Sequence, residues 1–251
     1  MHAKIFFSVP VRILLLIVCS ACFAVTACQT SSAVDVIQED TEFAHRAVIK
    51  LLDTMVDDVR LKTLPQMWKN QDQSLLFPEN SESIIATRDK IPQLRLYLDA
   101  YLHTAYSVVS NVYEDTVEYL ALLVDNTKIE DPYDIIQGRP YAATALFFSQ
   151  HAESIRSFVQ SSIQSTSGQL LSSWLAVESR YGIYTKATNN LSTLLEPEDT
   201  GFSSIDPIPT IVETLFKEMQ RMMETEETII RATANAYDSP ELRLFAPSGR
   251  Q

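Results

Sequence analysis

The chain has 251 residues, of which 46% are apolar and 21% charged, and its formal net charge is −12. This composition is typical of a globular protein with a sizeable core and excludes a disordered chain. Five glycines are too few for folds that depend on tight turns or glycine-rich phosphate loops. Because 32 acidic residues outnumber 20 basic ones, the sequence offers no basic surface for phosphates, and we predict no nucleic-acid partner.

The first 28 residues have the pattern of an export signal. Lys4 and Arg12 precede the apolar run 13–18, and small residues continue it to Val25. A charged segment followed by a short apolar run is typical of a secretory signal peptide. The alternative is an uncleaved N-terminal anchor, although the run is short for a membrane-spanning helix.

Val25-Thr26-Ala27-Cys28 resembles the bacterial lipobox, in which small residues precede a cysteine that receives a lipid. The resemblance implies cleavage after Ala27, a diacylglyceryl thioether on Cys28 and acylation of the new amino terminus. Cys22 is the alternative lipid site, but Cys19 would then stand where a branched residue belongs. Since each buried CH₂ contributes about 0.8 kcal/mol, two or three acyl chains would hold the protein on a membrane. Gln29 after the cysteine favours the outer membrane of the cell envelope.

The sequence predicts four consecutive parts. Residues 1–27 are the lipoprotein signal peptide, and residues 28–39 are the lipidated cysteine with a short tether. Residues 40–89 form an N-terminal helical segment, and residues 90–247 form the main helical domain. From about Asp40, apolar residues recur at steps of three and four, as on a helix with one buried face.

Helical patterns continue through the main domain. After Pro92, the apolar pattern to Leu123 predicts one long helix or two that break near residues 107–110. A short helix is expected around 131–137, with Gly138 as its stop and Pro140 in the first turn of the next helix.

A Ser-rich stretch at 161–167 predicts a kink or a connection. Further helical patterns cover 170–177 and 184–195, and the clearest helix lies near 210–237. No run alternates apolar and polar residues long enough to indicate a strand. We therefore predict an all-α protein, an antiparallel multi-helix bundle that follows the cleaved signal peptide.

Catalytic and metal motifs are absent from the sequence. No nucleophile elbow, dinucleotide fingerprint or P-loop occurs, so no catalytic residue is assigned. Glu42 and His45 match one half of the di-iron bundle motif, but no second half exists, and we predict neither a metal site nor a cofactor. Asp99 and His103 have the spacing of an ordinary pair on one helix face.

Five tyrosines lie within the long helical pattern after Pro92, namely Tyr97, Tyr101, Tyr106, Tyr113 and Tyr119. They could line a ligand groove or a partner surface, with Tyr101 and Tyr113 as the candidate contact residues. The alternative is packing between helices. Glu226 interrupts the apolar row of the last helix, and a buried pair with His103 would favour an enzyme.

Residues 129–148 carry the only specific resemblance to a protein family. An acidic short helix ends in a glycine, and Ala-Ala-Thr followed by Phe opens the next helix, at Asp131, Ile135, Gly138, Ala142, Ala143, Thr144 and Phe147. This order is similar to that of a bacterial family known as domain of unknown function 4197, and a looser match extends over about 88–240. Pro132 and Pro140 depart from the family pattern. The resemblance implies an exported or lipid-anchored helical protein and no catalytic residues.

These observations predict a lipid-anchored protein of the bacterial cell envelope, held to the membrane through Cys28. Its expected role is a non-enzymatic helical module that binds an envelope protein or supports envelope structure. A binding module for a small amphiphile, with the aromatic helix lining its pocket, is the alternative. An enzyme of unrecognised type is the third hypothesis.

Overall fold

The computed structural model describes residues 40–62, 73–192 and 205–247. Within these residues there are eight α-helices and no strand, which confirms the predicted all-α class. The helices are α1 (40–60), α2 (Glu82–Ala86), α3 (Leu94–Val124), α4 (Pro132–Ile136), α5 (Ala142–Thr166), α6 (Gly168–Ser192), α7 (Ile208–Thr233) and α8 (Pro240–Arg243). Short 3₁₀ helices occupy Gln73–Leu76 and Ala234–Ala236.

The long helices pack as antiparallel neighbours. Thr127, three residues beyond the end of α3, contacts His151 on α5, while Tyr119 within α3 stacks on Phe158 farther along α5. Along α5 and α7, Thr144 bonds Glu227 and Arg156 bonds Glu213. In each pair the residue number rises on one helix as it falls on the other.

One apolar core joins all the long helices. It includes a continuous row of buried residues on α1 from Ala47 to Val59, and buried rows on α3, α5 and α7. Helix α7 is amphipathic, and Leu215, Met219 and Met222 lie on its buried face. The methionines near its centre therefore fill the core.

Helix α3 is a single helix of 31 residues, which settles the choice that the sequence left open between one helix and two. Buried residues recur at helical spacing through the predicted break, with Val108, Val109 and Val112 on the core side. Because the buried face is continuous, burial outweighs the weak helix propensity of the two serines at 107 and 110.

A break separates α5 from α6 at Ser167, within the predicted stretch 161–167. The hydroxyls of Ser165, Thr166 and Ser167 each donate to the carbonyl three residues earlier. Hydroxyl groups that bond nearby carbonyls compete with the helical hydrogen-bond ladder. The sequence pattern located this break correctly, whereas the gap that it left between 177 and 184 lies inside the continuous helix α6.

In the part of the chain that the structure describes, no helix is both long and apolar enough to cross a membrane.

Candidate functional site

Two charged residues of α7 meet the facing ends of α4 and α5 in the interior of the protein. These are Glu227, which is 0% exposed, and Arg231, which is 8% exposed. Together with Thr144 they form what we call the junction network. Its side chains are buried and form hydrogen bonds with several backbone groups.

Glu227 accepts five hydrogen bonds. Its Oε2 accepts from the backbone N (2.8 Å) and Oγ1 (2.8 Å) of Thr144, and its Oε1 accepts from the backbone N of Ala143 (3.1 Å). Nε and Nη2 of Arg231 complete the set at 2.9 and 2.8 Å. The first N–H groups of a helix lack partners within it, and Tyr141 at the N-cap of α5 supplies no side-chain bond. Glu227 thus caps α5 from another helix, where its negative charge also suits the helix dipole.

Arg231 caps the other side of the junction. Its Nη1 donates to the carbonyl of Ile136 (3.0 Å) and its Nη2 to that of Ile135 (2.8 Å), at the C-terminal end of α4. The guanidinium also lies 4.8 Å from the ring centroid of Phe245. One ion pair therefore holds the end of α4, the start of α5 and the C-terminal segment against α7.

Residues 131–138 fix where α4 begins and ends, next to the junction network. Asp131 caps α4 by accepting from the backbone N atoms of Tyr133 (2.9 Å) and Asp134 (3.4 Å), and Pro132 occupies its first turn. A Cβ on Gly138 would lie 2.4 Å from the carbonyl oxygen of Asp134 and 2.9 Å from Cβ of Ala142. Gly138 does not have positive φ. It is required because the chain passes too close to itself for a side chain, rather than for a left-handed helix stop.

Pro140 lies outside α5, because Tyr141 is the N-cap and the helix begins at Ala142. The prediction that it belongs to the first turn was wrong. It precedes the helix by two residues and lies at the surface.

A second polar group lies beside the junction network on α7. Glu226 is buried and forms an ion pair with Lys62, the residue two positions beyond the end of α1. Burial, followed by the nearby charge of Glu226, raises the pKa of Asp58. Burial and the charge of Asp58 raise the pKa of Tyr237. We call these four residues the Glu226 cluster.

The two candidate tyrosines are buried in the bundle. The hydroxyl of Tyr101 donates to the carbonyl of Leu76 (2.7 Å), and its ring lies 4.9 Å from that of Trp174 and 6.0 Å from that of Phe77. The hydroxyl of Tyr113 lies 2.8 Å from the carbonyl of Val59. Burial is the largest cause that raises the pKa of both phenols. Their contacts are those of packing between helices, the alternative that the sequence left open.

The histidines do not converge. His103 is exposed on α3 and lines a shallow cleft with Asp99, whereas Glu226 bonds Lys62. His45 is exposed on α1, and Glu42 pairs with Arg46 at 3.1 Å. Within the described residues, no group of three His, Cys, Asp or Glu side chains has the arrangement of a metal site.

His151 is buried between α3 and α5. Oγ1 of Thr127 lies 3.1 Å from the carbonyl oxygen of Leu123 and 3.1 Å from Nε2 of His151, with which it shares a hydrogen bond. The imidazole also lies 5.0 Å from the ring of Phe147. Burial lowers the pKa of His151, and the neutral ring belongs to the packed junction of α3 and α5.

Sequence reasoning missed Glu227 and Arg231. Both lie four residues apart on the buried stripe of α7, and this spacing was the available signal for an internal ion pair. Cys28 and the signal segment lie outside the described residues, so the proposed lipid site has no structural description.

No protein-family model matches this chain, and comparisons with curated proteins and with solved structures give no match.

Proposed function

We propose that this protein is a lipid-anchored, non-enzymatic helical module of the bacterial cell envelope. The observation that carries the proposal is the sequence Val25-Thr26-Ala27-Cys28 at the end of a charged-then-apolar segment. Such a segment is typical of an exported protein, and a lipid on Cys28 would supply an attachment that none of the described helices offers. The similarity of residues 129–148 to domain of unknown function 4197 points in the same direction.

The described residues support an interaction or structural role rather than catalysis. The charged side chains of Glu227 and Arg231 form hydrogen bonds with backbone groups at helix ends. The buried tyrosine hydroxyls donate to backbone carbonyls. A catalytic acid or nucleophile must reach a substrate, and these groups are enclosed by the fold that they hold together.

The anchor is tested by labelling cells with an alkyne fatty acid and isolating the protein. Cys28→Ala is expected to abolish the label and to move the protein out of the membrane fraction. Cys22→Ala is the matched control, because it removes the alternative thiol and is expected to retain the label. Label that survives Cys28→Ala would refute lipidation at this residue.

The interaction role is tested with a photo-crosslinking amino acid at three exposed apolar positions. Leu96, Leu122 and Leu175 suit this purpose, since their side chains are exposed on α3 and α6. A discrete adduct with an envelope protein at one position, lost when a neighbouring exposed residue is replaced by Glu, is the expected result. Absence of any adduct at all three positions would count against a protein partner.

A further inference from the structure

The end of the bundle that meets the tether is defined by a contact between α1 and the connection after α3. The hydroxyl of Tyr133 donates to the backbone carbonyl of Asp40, the first described residue, across 3.3 Å. We call Asp40 together with residues 128–141 the tether end. At the other end of α1, Val59 bonds Tyr113, so α1 runs antiparallel to the second half of α3.

The length of the tether limits which surface can lie near an attached membrane. Eleven residues, 29–39, separate the proposed lipid site from α1. They span about 40 Å when fully extended, and about 20 Å as a flexible chain. Helix α3 alone is about 46 Å long, from its rise of 1.5 Å per residue. A chain anchored at Cys28 therefore keeps the tether end within reach of the bilayer surface, whereas the start of α3 lies most of a helix length away.

The side chains at the tether end suit a membrane interface. Residues 137–141 are all exposed, and Tyr133 and Tyr141 expose 40% and 41% of their surface. The guanidinium of Arg139 lies 5.8 Å from the ring centroid of Tyr141. Tyrosine and arginine have an apolar body and a polar or charged tip, and such residues favour the headgroup region of a bilayer.

The charge of this surface selects the type of lipid. Glu130, Asp131 and Asp134 are exposed beside the tyrosines and outnumber the two basic residues of this surface, Lys128 and Arg139. Anionic headgroups would repel these carboxylates, as they would repel a chain of net charge −12. Zwitterionic headgroups place a phosphate near Arg139 and an ammonium near the carboxylates.

We propose that the tether end, through Tyr133, Arg139 and Tyr141, rests on the zwitterionic lipid surface to which the protein is attached. This inference rests on the proposed lipid anchor at Cys28. It adds an orientation: the long axis of α3 points away from the bilayer, and the start of α3 faces the surroundings.

The test uses tryptophan fluorescence on vesicles. The chain from Cys28 onward is coupled through that thiol, its only one, to a maleimide lipid in phosphatidylcholine vesicles. The vesicle lipids carry bromine near the headgroup end of their acyl chains, where it quenches nearby tryptophan. Tyr141→Trp is the probe, and Tyr97→Trp near the start of α3 is its matched control, because Tyr97 is 38% exposed.

We expect several-fold stronger quenching for Tyr141→Trp than for Tyr97→Trp, after subtraction of the unsubstituted chain. Adding Arg139→Glu to Tyr141→Trp is expected to reduce the quenching, and circular dichroism of each variant verifies the helices. Vesicles with a large fraction of phosphatidylglycerol are expected to weaken it as well.

Equal quenching of the two probes would overturn the proposal. A blue shift of the tryptophan emission of Tyr141→Trp without vesicles would also overturn it. That shift would mean that the surface is covered by a second copy of the chain rather than by lipid. In this test the Cys28 thiol is coupled chemically to the lipid, so the result does not depend on lipidation in the cell. Failure of fatty-acid labelling at Cys28 would refute the proposed function, whereas failure of quenching would refute only the orientation.

Discussion

Two adjacent glutamates of α7 are both buried, but they have different bonding partners. Glu227 accepts five hydrogen bonds, from two backbone N–H groups, one hydroxyl and one arginine. Glu226 has an ion pair with Lys62, whose side chain is 40% exposed. A buried charge is costly unless its lone pairs are satisfied, so the surroundings and not the residue type determine what each glutamate contributes. The comparison predicts that the junction network contributes strongly to the stability of the fold, and that the ion pair of Glu226 with the partly exposed Lys62 contributes less.

The largest expected effect is that of removing Glu227. Glu227→Ala leaves Arg231 and two helix N–H groups of α5 without their buried acceptor, and the free energy of unfolding should fall by about 3–5 kcal/mol. Chemical denaturation followed by circular dichroism measures this change. Glu224→Ala is the control on the same helix, because Glu224 is half-buried and its carboxylate accepts from the nearby Gln220 side chain rather than from another helix. Comparable losses of unfolding free energy for both variants would refute the idea that the junction network makes a special contribution to stability.

Gly138 tests the same junction from its backbone side. A Cβ at this position would lie 2.4 Å from a carbonyl oxygen, and Gly138→Ala should cost about 1–3 kcal/mol through forced displacement. The matched control is Gly182→Ala within α6, where a Cβ meets nothing within 4 Å. That variant should stabilise the protein by up to about 1 kcal/mol, since alanine favours a helix over glycine. Thermal unfolding of the pair should shift in opposite directions, and shifts of the same sign would contradict the steric argument.

The Glu226 cluster should respond more weakly. Because Lys62 is partly exposed, a double-mutant cycle of Glu226→Gln and Lys62→Met should give a coupling energy of no more than about 1 kcal/mol. Glu226→Gln should also lower the pKa of Asp58, since the charge of Glu226 is one cause of its rise. A carboxyl titration followed by NMR measures that shift. A coupling energy as large as the effect expected at Glu227 would remove the contrast between the two glutamates.

The sequence predicted the helices more completely than the contacts between them. Apolar periodicity located α1, α3 and α7, because a buried helix face repeats every three to four residues. It also marked Gly138 but assigned the wrong cause, since the close approach to Asp134 is visible only in three dimensions.

The junction network could not be identified from periodicity. Glu227 and Arg231 are polar residues on a buried stripe, and their partners are backbone groups of α4 and α5 that lie about 85 to 95 residues earlier in the sequence. Nothing in the local pattern of α7 indicates which helix ends will meet it. Glu42 and His45 match only half of a di-iron motif, and the structure places both side chains at the surface, where Glu42 pairs with Arg46.

His151 is a buried titratable group without a charged partner, and its replacement should change the stability least. Burial lowers its pKa in the folded protein below the ordinary value of 6.5, so below that pH the unfolded chain binds more protons than the folded one. The stability that the neutral ring supplies is complete above pH 6.5 and is lost as the pH falls through the folded pKa. Asp53 and Asp58 have raised pKa values, which reverse the sign: their contribution falls as the pH rises from about 4.

The variant His151→Gln separates these opposing contributions. It keeps a donor for the Thr127 hydroxyl but does not titrate, so its unfolding free energy should lose less than that of the unsubstituted chain between pH 7 and pH 5. His103→Gln is the control, because His103 is exposed and lies away from the packed junction. Chemical denaturation at each pH measures the slopes. If both histidine variants keep the slope of the unsubstituted chain, His151 contributes nothing to the loss of stability between pH 7 and pH 5.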